Sequence, residues 1–154
     1  MAQIVLVTGA SSGIGLSIAM LLHQHNFKVY GTSRQPEKYA DLPYAMLALD
    51  VKKTDTMDAA LSEILKREGR IDVLINNAGV GITGPLEETP IIESKKAFDT
   101  NFFGPMALIN KVLPTMRAQR SGCIINITSI AGYMGLPFRG VYSATKGALA
   151  LVTE

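Results

Sequence analysis

Two residues near the end of the chain could together move a proton. Tyr142 and Lys146 are four positions apart, so on a helix they would lie on the same face. An ammonium group close to a phenol favours the phenolate, and a phenol held in this way can exchange a proton with a reacting oxygen. The alternative is that the pair is ordinary surface decoration of a helix, because this spacing is common there.

A serine that precedes this pair could assist the same chemistry. Ser129 follows the short apolar run 124–128, which is typical of a buried strand. In an open parallel sheet, ligands bind at the carboxyl ends of the strands. There the Ser129 hydroxyl could hydrogen-bond a substrate oxygen and share its developing charge. The alternative is that Ser129 only caps a turn.

A glycine-rich turn near the start of the chain predicts an anion site. Its residues are Gly9, Ala10, Ser11, Ser12, Gly13, Ile14 and Gly15. Gly9 permits a sharp turn, Gly13 lets the backbone approach a pyrophosphate, and Gly15 lets the following helix pack closely on the sheet. Helix N–H groups and the two serine hydroxyls would donate to the anion. The spacing differs from the common G-x-G-x-x-G fingerprint, and a plain strand-to-helix turn is the alternative.

The elements that must position these groups alternate along the chain. Apolar runs predict strands at 4–7, 28–32, 45–49, 71–75 and 124–128. Amphipathic patterns predict helices at 13–24, 54–68, 91–119 and 141–154. This alternation predicts the α/β class, with a doubly wound parallel sheet between two helical layers (a three-layer α/β/α sandwich). No linker, repeat or low-complexity segment divides the chain, so residues 1–154 are expected to form a single domain.

Composition excludes several classes of protein. The chain has 154 residues, of which 47% are hydrophobic, and a net charge of +2, which indicates neither nucleic acid nor a membrane surface as a partner. No uncharged apolar run reaches the roughly 18 residues that span a bilayer, and no signal peptide is recognisable. A single cysteine fits a reducing, cytoplasmic location. We expect Cys123 to be a small buried hydrophobe, and we expect no metal site, since His23 and His25 lack partner ligands.

Taken together, the motifs resemble the short-chain dehydrogenase/reductase family. In chain order they are Thr8-Gly9-x-x-x-Gly13-Ile14-Gly15, Asp50-Val51, Asn76-Asn77-Ala78-Gly79, Asn101, Ser129 and Tyr142-x-x-x-Lys146. They occur in the family's order and at its usual separations over essentially the whole chain. The resemblance implies a Rossmann-type sheet, an NAD(H) or NADP(H) cofactor, and interconversion of an alcohol and a carbonyl by hydride transfer. The domain would then be both dinucleotide-binding and catalytic.

The resemblance also implies a role for each matching residue. The catalytic set would be Asn101, Ser129, Tyr142 and Lys146, with Tyr142 as acid and base, Lys146 also holding the nicotinamide ribose, and Asn101 anchoring a water linked to Lys146. Asn76 would hold the middle of the sheet, Asp50 would meet the adenine, and the Ala78 and Gly79 backbone would border the adenosine. The predicted cofactor-binding set is Gly9, Ser11, Ser12, Gly13, Ile14, Gly15, Arg34, Asp50, Val51, Asn77, Ala78, Gly79, Tyr142 and Lys146. For Asn101, a plain N-cap is the alternative.

The end of the second predicted strand favours NADP(H) over NAD(H). NAD-preferring sites commonly place a carboxylate there to bond the ribose 2′-hydroxyl. Here the segment 30–34 contains no acid and ends in Arg34. A guanidinium suits a 2′-phosphate because it makes forked, charge-assisted hydrogen bonds. The alternative is that Arg34 is an exposed loop residue without a ligand.

The last helical pattern still continues at Glu154, without a closing glycine, asparagine or proline. Family members usually continue with two more strands and a segment over the substrate, so we expect the C-terminal strands to be missing and the fifth strand to be an edge. A fragment of a longer enzyme is favoured over a genuine short protein. The full-length parent is expected to be a homo-oligomer.

Two other classes of function share some of these motifs. A redox-sensing regulator that binds NADP without turnover, or an inactive fragment, is the main alternative, but the presence of Ser129, Tyr142 and Lys146 favours an enzyme. A flavodoxin-like regulator would need neither the Asn76–Gly79 motif nor the Tyr142/Lys146 pair. Apolar residues of the segment 133–139 predict an apolar alcohol or ketone as substrate; they are Met134, Leu136, Pro137 and Phe138.

Overall fold

The computed structural model describes residues 2–153 of the chain. Its sheet contains the strands β1 (Ile4–Val7), β2 (Lys28–Ser33), β3 (Ala45–Ala48), β4 (Val73–Asn76) and β5 (Cys123–Asn126). All neighbours pair in parallel, in the order β3-β2-β1-β4-β5. This confirms the doubly wound, Rossmann-type fold. The strand order reverses between β1 and β4, which opens a crevice at their carboxyl ends.

Helices cover both faces of the sheet. They are α1 (Gly13–Gln24), α2 (Thr54–Glu68), α3 (Ile91–Phe98), α4 (Gly104–Gln119) and α5 (Gly140–Leu151). Because side chains alternate along a strand, Ile4 and Leu6 of β1 join a core cluster with α2 and α4. Val5 and Val7 point to the other face and pack with residues of α1. Helix α2 ends at Gly69, which has a left-handed φ of 71°, as its glycine predicted.

A π-helical turn interrupts the long helix that the sequence pattern predicts over 91–119. The turn covers Asp99–Phe103, and the N–H of Gly104 donates to the carbonyl of Asp99, five residues back. Pro105 follows directly and has no N–H to continue the α-helical ladder. Asn101 lies inside this continuous helical segment, so the alternative that it is a helix N-cap is wrong.

The sheet ends at β5, which within residues 2–153 pairs only with β4. The predicted edge position of this strand is confirmed. Cys123 at its start is exposed, so the expectation of a buried cysteine is wrong. An apolar run does not guarantee burial at an edge, because one side of the strand has no neighbour. The helix expected over 141–154 spans Gly140–Leu151, and Glu154 lies outside the described residues.

Asp72 fastens the start of β4 to β1. Its carboxylate is 5% exposed and accepts the N–H of Ile4 at 2.8 Å and Nε of Arg70 at 2.9 Å. Burial opposes the charged form, but the hydrogen bonds from Arg70 and Ile4 outweigh it and lower the pKa of Asp72. The native state therefore binds fewer protons at this group than the unfolded chain does.

We expect Asp72→Asn to reduce the free energy of unfolding at neutral pH by about 1–3 kcal/mol, because the amide cannot accept with both atoms. The contribution of Asp72 is complete above the unfolded-state pKa of about 3.9 and is lost as the pH falls through the lower folded-state pKa. Urea unfolding at a series of pH values should therefore show the difference between the two proteins shrinking in acid. Asp58→Asn, at a 59% exposed carboxylate, is the control and should cost less than about 1 kcal/mol. A pH-independent difference for Asp72→Asn would contradict this account.

Candidate active site

The carboxyl ends of the strands open into a cleft with a volume of about 1040 Å³. Most of the predicted cofactor-binding residues line it: Gly9, Ser11, Ser12, Ile14, Arg34, Asp50, Val51, Asn77, Ala78 and Gly79. They come from the ends of β1, β2, β3 and β4. Parallel strands bring these distant segments together because all of their carboxyl ends meet at one edge of the sheet.

The glycine turn has the geometry that its sequence predicted. Gly9 and Gly13 have φ values of 66° and 54°, a region that favours glycine. A side chain at Gly15 would place its Cβ 2.3 Å from both the Gly9 carbonyl oxygen and Nδ2 of Asn77. The first backbone hydrogen bond of α1 runs from Leu16 N–H to the Ser12 carbonyl. The N–H groups of the three helix residues before Leu16 therefore lie outside the helical ladder.

Asn77 locks this turn to the end of β4. Its Nδ2 donates to the carbonyls of Thr8 and Gly9 at 2.9 and 3.1 Å. The N–H groups of Asn77 and Ala78 both donate to Oγ1 of Thr8, at 2.9 and 3.0 Å. Asn77 thus positions the turn as well as lining the cleft. Sequence reasoning assigned no role to Thr8, although it lies directly beside Gly9.

The outer part of the cleft is cationic. Arg34 is exposed directly after β2, and Lys52 and Lys53 follow β3 and also line the cleft. Asp50 lies between them and accepts the N–H of Lys52 at 3.0 Å. Sequence reasoning missed the two lysines, although they directly follow the Asp50-Val51 motif.

The residues of the glycine turn, Gly79 and this cationic end fit a dinucleotide phosphate. The start of α1 packs closely on the turn, because a Cβ at Gly15 would collide with the Gly9 carbonyl and Asn77. The N–H groups at this helix start suit a pyrophosphate. The cations suit a further phosphate on the ribose.

Asn101 connects the loop after β4 to α5. It is fully buried. Its Oδ1 accepts the N–H of Val80 at 2.8 Å, and its Nδ2 donates to the Val80 carbonyl at 2.9 Å and to Oγ1 of Thr145 at 3.0 Å. The side chain therefore has protein partners on both atoms and fixes the backbone directly beside Lys146. The Asn101 main-chain carbonyl lacks its usual α-helical donor, since the residue four positions later is Pro105.

Lys146 and Asn101 both border Gly79. A Cβ at Gly79 would lie 3.2 Å from Oδ1 of Asn101 and 3.6 Å from Nζ of Lys146. The Lys146 side chain is 5% exposed, and its Nζ donates to the Ile127 carbonyl at 2.7 Å. Burial lowers the pKa of Lys146, since desolvation penalises the ammonium.

Ser129 and Tyr142 lie on the two segments that flank this point. Ser129 follows β5, and its Oγ accepts the N–H of Ala131 at 3.2 Å. It therefore does cap a short turn, as its alternative role predicted, and its O–H still has a proton to donate. Tyr142 lies in the first turn of α5, with the guanidinium carbon of Arg139 5.7 Å from its ring centre. Sequence reasoning included Arg139 only as the end of the segment 133–139 beside the substrate and gave it no role of its own.

Neither a metal cluster nor a membrane-spanning helix is found among the described residues. Across residues 2–153 no three histidine, cysteine, aspartate or glutamate side chains cluster in a way that could hold a metal ion. Over the same residues no helix has both the length and the apolar character needed to cross a membrane.

Comparison with known proteins agrees with this geometry. The family model described as short chain dehydrogenase matches residues 3–154. The chain belongs to the short-chain dehydrogenase family. A 3-ketodihydrosphingosine reductase of Bacteroides thetaiotaomicron is 47% identical over 152 residues, which cover 99% of this chain and 56% of that protein. This short-chain dehydrogenase thus spans little more than half the length of that relative.

Solved structures show the same fold. A short-chain dehydrogenase from Streptomyces avermitilis superposes with a TM-score of 0.95 at 39% identity, covering 99% of this chain and 58% of the other. The structure named ElxO with NADP bound superposes with a TM-score of 0.94 at 33% identity, covering 99% and 65%.

Proposed function

We propose that this short-chain dehydrogenase chain is the dinucleotide-binding and catalytic domain of an NADP(H)-dependent oxidoreductase that interconverts an alcohol and a carbonyl. One observation carries the proposal. The cleft that begins at the glycine turn reaches Gly79, and a Cβ at Gly79 would lie close to both Asn101 and Lys146. The dinucleotide cleft therefore comes directly beside two of the four candidate catalytic residues, although none of the four lines it.

The chain's own residues have separate tasks in this proposal. Tyr142 donates a proton to the substrate oxygen during reduction and accepts it during oxidation. Ser129 donates its O–H to the same oxygen and shares the charge. Bound NADP(H) would supply or accept the hydride. Lys146, fixed by the Ile127 carbonyl, would hold the nicotinamide ribose.

Asn101 acts as a positioning residue for Lys146 and as an anchor for a water. Its side chain fixes Thr145, the residue before Lys146. Pro105, four residues later, has no N–H to donate to the main-chain carbonyl of Asn101. This carbonyl is therefore the group that would accept a hydrogen bond from a water. Such a water would link to Lys146, as the resemblance implies.

The proposed preference for NADP(H) depends on the outer cleft. No acid lies at the end of β2, and Arg34, Lys52 and Lys53 surround the place where a ribose phosphate would lie. The structure named ElxO with NADP bound has this fold at 33% identity, which supports the same preference.

We expect Arg34→Asp to weaken NADPH binding by roughly tenfold or more, since it removes a charge-assisted fork and adds repulsion. NADH binding should change little or improve. Fluorescence titration of both nucleotides measures the effect. Arg120→Asp is the matched control: Arg120 lies at the end of α4 with a left-handed φ of 54°, which aspartate tolerates. An unchanged NADPH-to-NADH ratio for Arg34→Asp would refute the cofactor assignment.

The proposed substrate is an apolar ketone or alcohol. The segment 133–139 exposes Tyr133, Met134 and Phe138, whose side chains are 76%, 53% and 64% exposed. They follow Ser129 in the chain and precede Tyr142. The name of the Bacteroides relative, a 3-ketodihydrosphingosine reductase, supports a lipid-like ketone.

A further inference from the structure

Arg139 is a cation that nothing in the chemistry above uses. It lies directly before α5, and its guanidinium carbon is 5.7 Å from the centre of the Tyr142 ring. None of the ion pairs or side-chain hydrogen bonds within residues 2–153 includes it. A half-buried cation without an anionic partner pays a desolvation cost that an anionic ligand would offset.

The hydrogen-bond donors of Arg139 are available to a ligand. The guanidinium carbon lies 5.7 Å from the ring centre of Tyr142, within the range of a cation–π contact. Its five N–H donors lie in the plane of the group, in a fork that matches a carboxylate. Among residues 2–153 no side-chain acceptor occupies this fork.

Gly81 borders this fork. A Cβ built on Gly81 would lie 3.7 Å from Nη1 of Arg139 and would meet no other atom within 4 Å, so little else crowds the guanidinium on this side. The N–H of Gly84 donates to the Phe138 carbonyl at 2.9 Å. This hydrogen bond joins the segments 79–85 and 133–139 beside Arg139.

We propose that Arg139 binds a carboxylate of the substrate, and that the substrate is a keto acid or hydroxy acid with an apolar chain. The inference rests on the proposed function, because Tyr142 marks the reacting oxygen. Arg139 is the neighbour of Tyr142, so the carboxylate lies only a few bonds from the reacting carbon, as in a γ-keto acid. The exposed side chains of Tyr133, Met134 and Phe138 take the apolar chain.

The test compares two ligands that differ only in charge. Isothermal titration calorimetry measures binding of γ-oxodecanoate and of its neutral amide to the chain with NADP⁺ present, because the oxidised cofactor has no hydride to transfer and the ketone is not consumed. We expect the acid to bind roughly tenfold tighter than the amide, since a charged hydrogen-bonding fork is lost with the amide. Arg139→Gln should abolish that ratio, Arg139→Lys should keep part of it, and the distant Arg120→Gln should keep all of it.

Both Arg139 variants are expected to fold, because only backbone atoms of this residue hydrogen-bond to the rest of the described residues. The structural hydrogen bonds of Arg139 run from its N–H to the Leu136 carbonyl and from Ser143 N–H to its carbonyl, so both substitutions retain them. Equal affinity for acid and amide, or a preference that survives Arg139→Gln, would overturn the inference. Absence of binding by both ligands to an NADP⁺-loaded chain overturns it as well and leaves the proposed function standing. Failure of the chain to bind NADP⁺ in a separate fluorescence titration would refute the proposed function, and the substrate assignment that rests on it, whatever the ratio between acid and amide.

Discussion

Tyr142→Phe is expected to reduce NADPH-dependent ketone reduction by about a hundredfold or more, within the range that positioned acid–base groups contribute. The phenylalanine keeps the ring that Arg139 approaches. It removes only the hydroxyl that transfers the proton. Among residues 2–153 the Tyr142 hydroxyl has no hydrogen-bond partner, so its removal leaves no buried group unsatisfied. Stability and NADPH affinity should therefore stay close to those of the parent.

Turnover of apolar ketones is followed by the oxidation of NADPH, and binding by fluorescence titration of the same samples. Ser121→Ala is the control: it also removes one hydroxyl, and Ser121 is exposed before the start of β5, at the opposite edge of the sheet from the cleft. It should keep both turnover and binding. Turnover by Tyr142→Phe at the parent rate would remove Tyr142 from the mechanism. NADPH binding without turnover by the parent protein would favour the NADP-binding module over the enzyme.

Gly15→Ala is expected to have the largest effect on the nucleotide site. The new Cβ would lie 2.3 Å from the Gly9 carbonyl oxygen and from Nδ2 of Asn77, distances that force both groups to move. Asn77 holds the turn through its bonds to Thr8 and Gly9, so its displacement opens the phosphate cradle. We expect overpacking to cost about 1–3 kcal/mol of unfolding free energy, together with a loss of NADPH binding.

Gly135→Ala is the matched control for this substitution. A Cβ built on Gly135 would have no atom of the described residues within 4 Å, and Gly135 is not among the residues with a positive φ. Urea unfolding and NADPH titration of both variants separate the two effects. If Gly15→Ala binds NADPH as the parent does, the close packing of α1 against the turn is not what shapes the site.

The energetic position of Lys146 shows how the fold serves the site. Lys146 is only 5% exposed, and this burial lowers its pKa through desolvation. A lower pKa is unfavourable for a group that is to remain cationic. The Ile127 carbonyl, directly after β5, partly offsets this through the hydrogen bond to Nζ. The edge strand thus supports the site although one of its sides is unpaired.

Local patterns were sufficient for much of the fold. The five strands lie where the apolar runs predicted them, with bounds that differ by no more than two residues. The helical region predicted over 91–119 is present, but the π-helical turn Asp99–Phe103 inside it was not predicted, because an apolar periodicity does not report a missing N–H donor four residues ahead. The burial of Cys123 was predicted wrongly, because the apolar run was interpreted as a sign of burial although one side of an edge strand has no neighbour.

By itself, the sequence determined the class of fold, the glycine turn and the identity of the residues that gather at the cleft. These follow from local causes: strand and helix periodicity, the conformations open to glycine, and the common edge of parallel strands. Only the tertiary structure decided that Asn101 spends its side chain on Val80 and Thr145, that Lys146 is anchored on Ile127, and that Arg139 has no anionic partner within residues 2–153. The physical reason is that partners far apart in the chain are chosen by packing, and no spacing rule along the sequence reports which polar groups packing leaves together.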